Sequence, residues 1–160
     1  MKHTLVIAGV GGQGILTIAA TIAQACLEEG LNIKQSEVHG MAQRGGAVVA
    51  HLHLSDGPIY SDLVPAGGAD VVLAVEPLEA LRQIRYLGPG GWLLANRTPV
   101  TNIDNYPDLE DVYRDIERIP NHVLVDADEF ARDAGSGRAM NMVMLGAVSQ
   151  RLDIPAERFR

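Results

Sequence analysis

Two rhythms of apolar residues alternate along the chain. Short apolar runs occur at Leu5-Val6-Ile7-Ala8, Ala47 to Leu54, Val71-Val72-Leu73-Ala74-Val75, Trp92-Leu93-Leu94-Ala95 and Val123-Leu124-Val125, each of strand length. The unbroken Val71–Val75 run suits a central strand covered on both faces. Between the runs, apolar residues recur with a helical period. Ile15, Ile18, Ala19, Ile22 and Cys26 form one stripe, and Gly30 follows as a C-cap of a helix running from Ile15 to about Glu29. Further helices are expected from Glu76-Pro77 to about Leu87, from Pro107 to Ile119, from Ala127 to Ala134, and from about Arg138 to Leu152. A shorter strand is expected from Asn32 to Ser36. Gly88-Pro89-Gly90-Gly91 and Asp56-Gly57-Pro58 read as turns, with Ile59-Tyr60-Ser61 as a short edge strand. Strands alternating with helices predict an α/β domain, three-layered and Rossmann-like, with a mostly parallel sheet.

The first strand-to-helix junction carries the main chemical signal. Gly9-Val10-Gly11-Gly12-Gln13-Gly14 has the G-x-G-x-x-G spacing of a dinucleotide-binding turn, in register with a strand before it and a helix after it. Such glycines permit a tight turn, close backbone approach to a phosphate, and close helix–strand packing. The first helical N–H groups then face the anion. The same residues also fit Gly-x-x-x-x-Gly, but Ile15-Leu16 stands where an ATPase or GTPase loop needs Lys and Ser or Thr. Glu37 lies near the position from which an acidic residue reads a ribose hydroxyl in dinucleotide enzymes; a solvent-facing carboxylate is the plain alternative. A second glycine-bracketed loop follows, His39-Gly40-Met41-Ala42-Gln43-Arg44-Gly45-Gly46. Its arginine offers a fork of donors to a carboxylate or phosphate.

Composition narrows the classes. The 160 residues fit one domain, and the net charge of −7, with only two lysines, argues against nucleic-acid binding. No apolar run reaches membrane-spanning length and the N-terminus has no signal-peptide pattern, so the expected compartment is the cytoplasm. The single cysteine, Cys26, rules out an iron–sulfur cluster held by this chain alone and reads as a packing residue. His51 and His53 share one strand face, but no third metal ligand stands nearby. The strand ends expected to line a ligand crevice contribute Gly11, Gly12, Glu76, Asn96 and Asp126, which form no acid–base pair or nucleophile triad, and no catalytic residue is assigned. The Met140, Val143, Met144, Ala147 and Val148 stripe reads as core. Asp153-Ile154-Pro155-Ala156-Glu157 reads as the start of another helix, so the domain, 1–160, is expected to lack a C-terminal helix.

Gly9 to Gly14, Ser36 to Gly46, and Asn141-Met142-Val143-Met144-Leu145-Gly146-Ala147 together resemble the gamma domain of 2-oxoacid:ferredoxin oxidoreductases, in particular the beta subunits of the indolepyruvate type. The resemblance spans nearly the whole chain. It implies a subunit, inactive alone, of an enzyme that oxidatively decarboxylates an aryl 2-oxoacid to an acyl-CoA and passes electrons to ferredoxin. It implies thiamine diphosphate, Mg and 4Fe-4S clusters on a partner alpha subunit, and coenzyme A held partly by this chain. The residues it marks for coenzyme A are Gly9, Gly11, Gly12, Gln13 and Gly14. Met41, Gln43, Arg44 and Gly45 are marked for the shared active-site face. It also allows the isolated chain to homodimerise. Two rival readings remain at this stage: a free-standing NAD- or FAD-dependent Rossmann enzyme, and a non-catalytic scaffold subunit.

Overall fold

The computed structural model describes residues 1–40 and 45–159. Six strands form one sheet: β1 (Lys2–Val10), β2 (Asn32–His39), β3 (Ala47–Ser55), β4 (Ala69–Ala74), β5 (Leu87–Asn96) and β6 (His122–Val125). Their order across the sheet is β2-β3-β1-β4-β5-β6. β1, β4, β5 and β6 are successively parallel, whereas β3 is antiparallel to both β1 and β2. Only β3 therefore opposes the common direction, and the sheet is mixed but mostly parallel, as the alternation of elements implied.

Helices cover both faces: α1 (Ile15–Glu28), α2 (Pro77–Arg82), α3 (Leu109–Glu117), α4 (Ala127–Asp133) and α5 (Met140–Ser149). Strand alternation sorts the core into two layers. Leu5, Ile7, Ala50, Leu52 and Leu73 pack with Ile18, Ile22 and Cys26 of α1 and Met144 and Val148 of α5. Val6, Ala8, Val72 and Leu93 pack on the other side with Ala80 of α2 and Val112 and Ile116 of α3. Ile18 and Ile22 are fully buried, and each such side chain contributes about 2 kcal/mol through removal from water. Cys26 is also fully buried, and burial pushes its thiol up to about 11, so it is a packing group without thiolate character at neutral pH.

Several boundaries differ from the sequence reading. β2 continues past Ser36 to His39 because it pairs along its length with β3, from Asn32 opposite Ser55 to His39 opposite Val48. The resulting hairpin places β3 between β2 and β1. Gly88–Gly91 belongs to β5 and is not a free turn; a Cβ at Gly91 would press on the Ala69 carbonyl at 2.9 Å, at the register shift between β4 and β5. α2 stops at Arg82 and gives way to a 3-10 turn, Ile84–Tyr86. The 59–61 stretch joins no strand, and Ala156–Arg158 forms a 3-10 turn. Among the described residues no helix is long and apolar enough to cross a membrane.

Candidate anion cradle at the glycine turn

β1 ends in a tight turn. The Gln13 N–H donates to the Val10 carbonyl at 3.1 Å, and Gly12, third in the turn, has φ +95°. A positive φ at that position is the type II geometry that glycine accepts without steric cost. Gly14 then serves as the N-cap of α1 with φ +80° and supplies no capping side chain. The first turn of α1 also has no acidic residue. Among the described residues, the N–H groups of Gly12, Gly14, Ile15 and Leu16 have no hydrogen-bond partner. They border a cavity of about 360 Å³ whose walls include Gly11, Gly12, Ile15, Leu16 and His39, with Val10 and Val48 beneath. Unpaired amides at the positive end of a 14-residue helix are the donor set that an anion such as phosphate requires.

The glycines divide the work. Gly9 faces away from the cavity: a Cβ there would collide with Val75 and Ile15, so this glycine permits the close approach of strand and helix. Gly12 has open space around its Cβ position, leaving its backbone approachable by a ligand. The Gly11 N–H is committed to the Gly46 carbonyl at 2.8 Å. Gln13 turns inward; its Oε1 accepts from the Val10 N–H at 2.8 Å and its Nε2 donates to the Val75 carbonyl at 3.3 Å. Gln13 thus clamps the turn to the ends of β1 and β4, and its side chain offers nothing to the cavity.

The second loop ends beside the first. Gly45, φ +77°, accepts through its carbonyl from the Asn102 side chain, and Gly46 holds Gly11. Met41, Gln43 and Arg44 lie outside the described residues. Asn141, known from sequence only as part of a helix motif, abuts Gly14: a Cβ on Gly14 would strike its amide nitrogen. Its Oδ1 is buried without a partner among the described residues. The signal that could have found this contact is the long-range pairing of a left-handed glycine with a small amide on α5.

The remaining strand ends support the fold. Glu76 is 1% exposed and caps α2, with Oε2 accepting from the Glu79 N–H at 2.8 Å. Its Oε1 accepts from the Val100 N–H at 3.3 Å and the Tyr106 hydroxyl at 2.5 Å. Burial, then the Glu76 carboxylate, pushes the Tyr106 phenol well above its ordinary range. Asn96 donates to the Val75 carbonyl and Asp128 and accepts from the Ala127 N–H. Asp126 pairs with Arg97 at 3.1 Å. Glu37 bonds to Gln35 and His39 on β2. Because β3 separates β2 from β1, Glu37 lies a strand farther from the glycine turn than the ribose-reading acid of a dinucleotide enzyme. The ribose role fails on that topology. Among the described residues no three His, Cys, Asp or Glu side chains cluster as a metal site.

Strand, turn and uncapped helix together define an α/β domain with a glycine-rich first turn. The chain belongs to the pyruvate ferredoxin/flavodoxin oxidoreductase family, whose profile matches residues 4–160. It is 40% identical over 162 residues to the indolepyruvate oxidoreductase subunit IorB of Pyrococcus horikoshii, covering 96% of this chain and 80% of that one. The gamma subunit of a keto/oxoacid ferredoxin oxidoreductase from Geobacter sulfurreducens has the same fold, with a TM-score of 0.72, 24% identity, and coverage of 99% of this chain and 81% of that one. The 2-oxoglutarate:ferredoxin oxidoreductase of Magnetococcus marinus, solved with 2-oxoglutarate, coenzyme A and succinyl-CoA bound, superposes with a TM-score of 0.74 at 23% identity. That match covers 99% of this chain and 26% of that one.

Proposed function

We propose that this chain is the non-autonomous subunit of a 2-oxoacid:ferredoxin oxidoreductase of the indolepyruvate type, and that its glycine turn holds a phosphate of coenzyme A. The observation that carries the reading is that the amides of Gly12, Gly14, Ile15 and Leu16 have no hydrogen-bond partner among the described residues and belong to residues lining one cavity at the start of α1. A coenzyme A phosphate fits that donor set: it is anionic, needs N–H donors, and needs the bare Cα that Gly12 provides. Gly9 and Gln13 shape the cradle from behind; Gly11 ties it to Gly46. The family resemblance assigns Met41, Gln43, Arg44 and Gly45 to the active-site face shared with the partner.

In this reading the overall reaction converts a 2-oxoacid and coenzyme A to an acyl-CoA and CO2. Two electrons leave for ferredoxin and one proton is released. Thiamine diphosphate with Mg supplies the carbanion chemistry, and 4Fe-4S clusters carry the electrons, on the alpha subunit. This chain's donors suit that division, since its one thiol is buried and protonated. Its own task is to bind and orient the acyl acceptor.

The test is co-expression with the candidate alpha subunit, followed by coenzyme-A-dependent reduction of a low-potential dye with indolepyruvate. Turnover that requires both chains is expected. A stable, cofactor-loaded complex that stays inert with aryl 2-oxoacids, pyruvate and 2-oxoglutarate would end this reading.

A further inference from the structure

A second cavity, of about 300 Å³, lies on the opposite face of the β2–β3 hairpin and does not use the glycine turn. Its walls include Val38, Val49, His51, Gln83, Arg85 and Tyr86. His51 is 3% exposed, and its Nδ1 accepts from the Val64 N–H at 2.9 Å. In the neutral ring that bond leaves the proton on Nε2. Burial first, then the charges of His53 and Arg85, holds the His51 pKa below its ordinary value and keeps the ring neutral. Nε2 has no partner among the described residues, yet it does not belong to the fully enclosed unpaired atoms. It is a donor fixed by the Val64 bond on a ring that lines the cavity.

Two other polar groups converge there. Gln83 is 9% exposed, and among the described residues its side-chain amide makes no hydrogen bond. Arg85 donates from Nη2 to the Tyr86 hydroxyl at 3.1 Å, and its guanidinium lies 4.8 Å from the Tyr86 ring centre. Among the described residues it has no carboxylate partner, unlike Arg82, which pairs with Glu79 at 2.6 Å. Tyr86 in turn meets the His51 ring edge to face, with 5.0 Å between centroids. The acid on β2, Glu37, stands opposite Ala50 and so faces the α1 side of the sheet. Among the described lining residues, His51, Gln83 and Arg85 bring donors, with no carboxylate side chain among them, to a pocket with apolar walls; His39 also lines it and is paired with Glu37.

We propose that this cavity binds a small organic acid, its carboxylate taken by Arg85, the Nε2–H of His51 and the Gln83 amide, its apolar body against Val38, Val49 and Tyr86. A guanidinium and a neutral N–H donor suit a planar two-oxygen anion. The apolar walls distinguish an aryl or alkyl acid from a bare inorganic ion.

Phenylacetate is the probe, titrated into the purified full chain and followed by calorimetry and by the imidazole NMR signals of His51. Saturable binding with Kd of roughly 0.1–1 mM is expected, with the His51 signals moving along the same isotherm. Arg85→Gln, on the surface, should weaken it about tenfold, and Gln83→Leu about threefold. The proposal is overturned if His51 shows no saturable shift, if 2-phenylethanol or inorganic phosphate binds as well as phenylacetate, or if Arg85→Gln leaves the affinity unchanged. The assay contains no coenzyme A and no partner subunit, so its failure leaves the glycine-turn reading standing.

Discussion

α1 and α2 both begin at the carboxyl edge of the sheet, yet the chain finishes them in opposite ways. At α2, Glu76 caps the helix and is itself held by Tyr106 and Val100, so the helix start is closed on three sides. At α1, Gly14 stands in the capping position and no acid follows in the first turn, so among the described residues the amides stay open. A capping side chain contributes about 1 kcal/mol to a helix. Its omission at α1, beside a cavity, leaves room for an outside anion to do the capping. One half of the edge is therefore left open to an anion, and the other half is braced.

The largest expected effect comes from closing the gap behind the open end. Gly9→Val drives a branched side chain into Val75 and Ile15 and should destabilise the chain by about 3 kcal/mol. Denaturant unfolding reads this directly; a loss below about 1 kcal/mol would show that the strand–helix contact is looser than described.

Breaking the braced end comes next. Glu76→Ala strands the Glu79 and Val100 amides and the Tyr106 hydroxyl, for about 2 kcal/mol. Thermal unfolding should record the drop, while the KM for coenzyme A in the assembled enzyme stays near the parent value. A change in KM as large as that of a glycine-turn variant would erase the contrast between the two helices.

Gly12→Ala should give the reverse pattern. At φ +95° an alanine costs about 1 kcal/mol of stability. The added methyl projects into open space where the ligand would approach, so coenzyme A affinity should fall at least tenfold. Unchanged affinity in a folded variant would favour the scaffold reading of the turn.

The smallest effect is a pH slope. His51 has a folded pKa below its ordinary 6.5. The unfolded chain takes up that proton at higher pH than the folded one. The stability this group contributes is therefore complete above about 6.5 and is lost as pH falls through the folded value. Comparing unfolding of the parent and His51→Gln between pH 7 and pH 5 should show a shallower decline in the variant. Parallel curves would mean that the ring titrates equally in both states.

What the sequence disclosed depended on how local the physics is. The Gly9, Gly11 and Gly14 spacing announced a strand–turn–helix because each glycine answers a constraint within a few residues. The inward face of α1 was legible for the same reason. Gly88–Gly91 misled because glycine marks turns and close backbone approaches alike, and only the Ala69 carbonyl across the sheet decides between them. The place of β3 between β2 and β1 is set by pairing between distant strands, which no local pattern encodes. Gln13 was assigned to the ligand by its place in the motif, whereas its hydrogen bonds run to Val10 and Val75. The reach of Asn141 to Gly14 spans most of the chain and has no local signature.

The reversed strand also limits what this scaffold can become. An engineer seeking a nicotinamide reader would look for a carboxylate at the tip of the strand beside β1 on the side away from β4. On that side the neighbour is β3, and its beginning, not its tip, lies at the phosphate end. The forward-running strand with a tip there is one inter-strand spacing farther out, about 4.8 Å. Substitutions can swap side chains, but they cannot exchange two strands in a sheet. Re-threading the backbone would be required, which makes this glycine turn a poor starting point for dinucleotide selectivity.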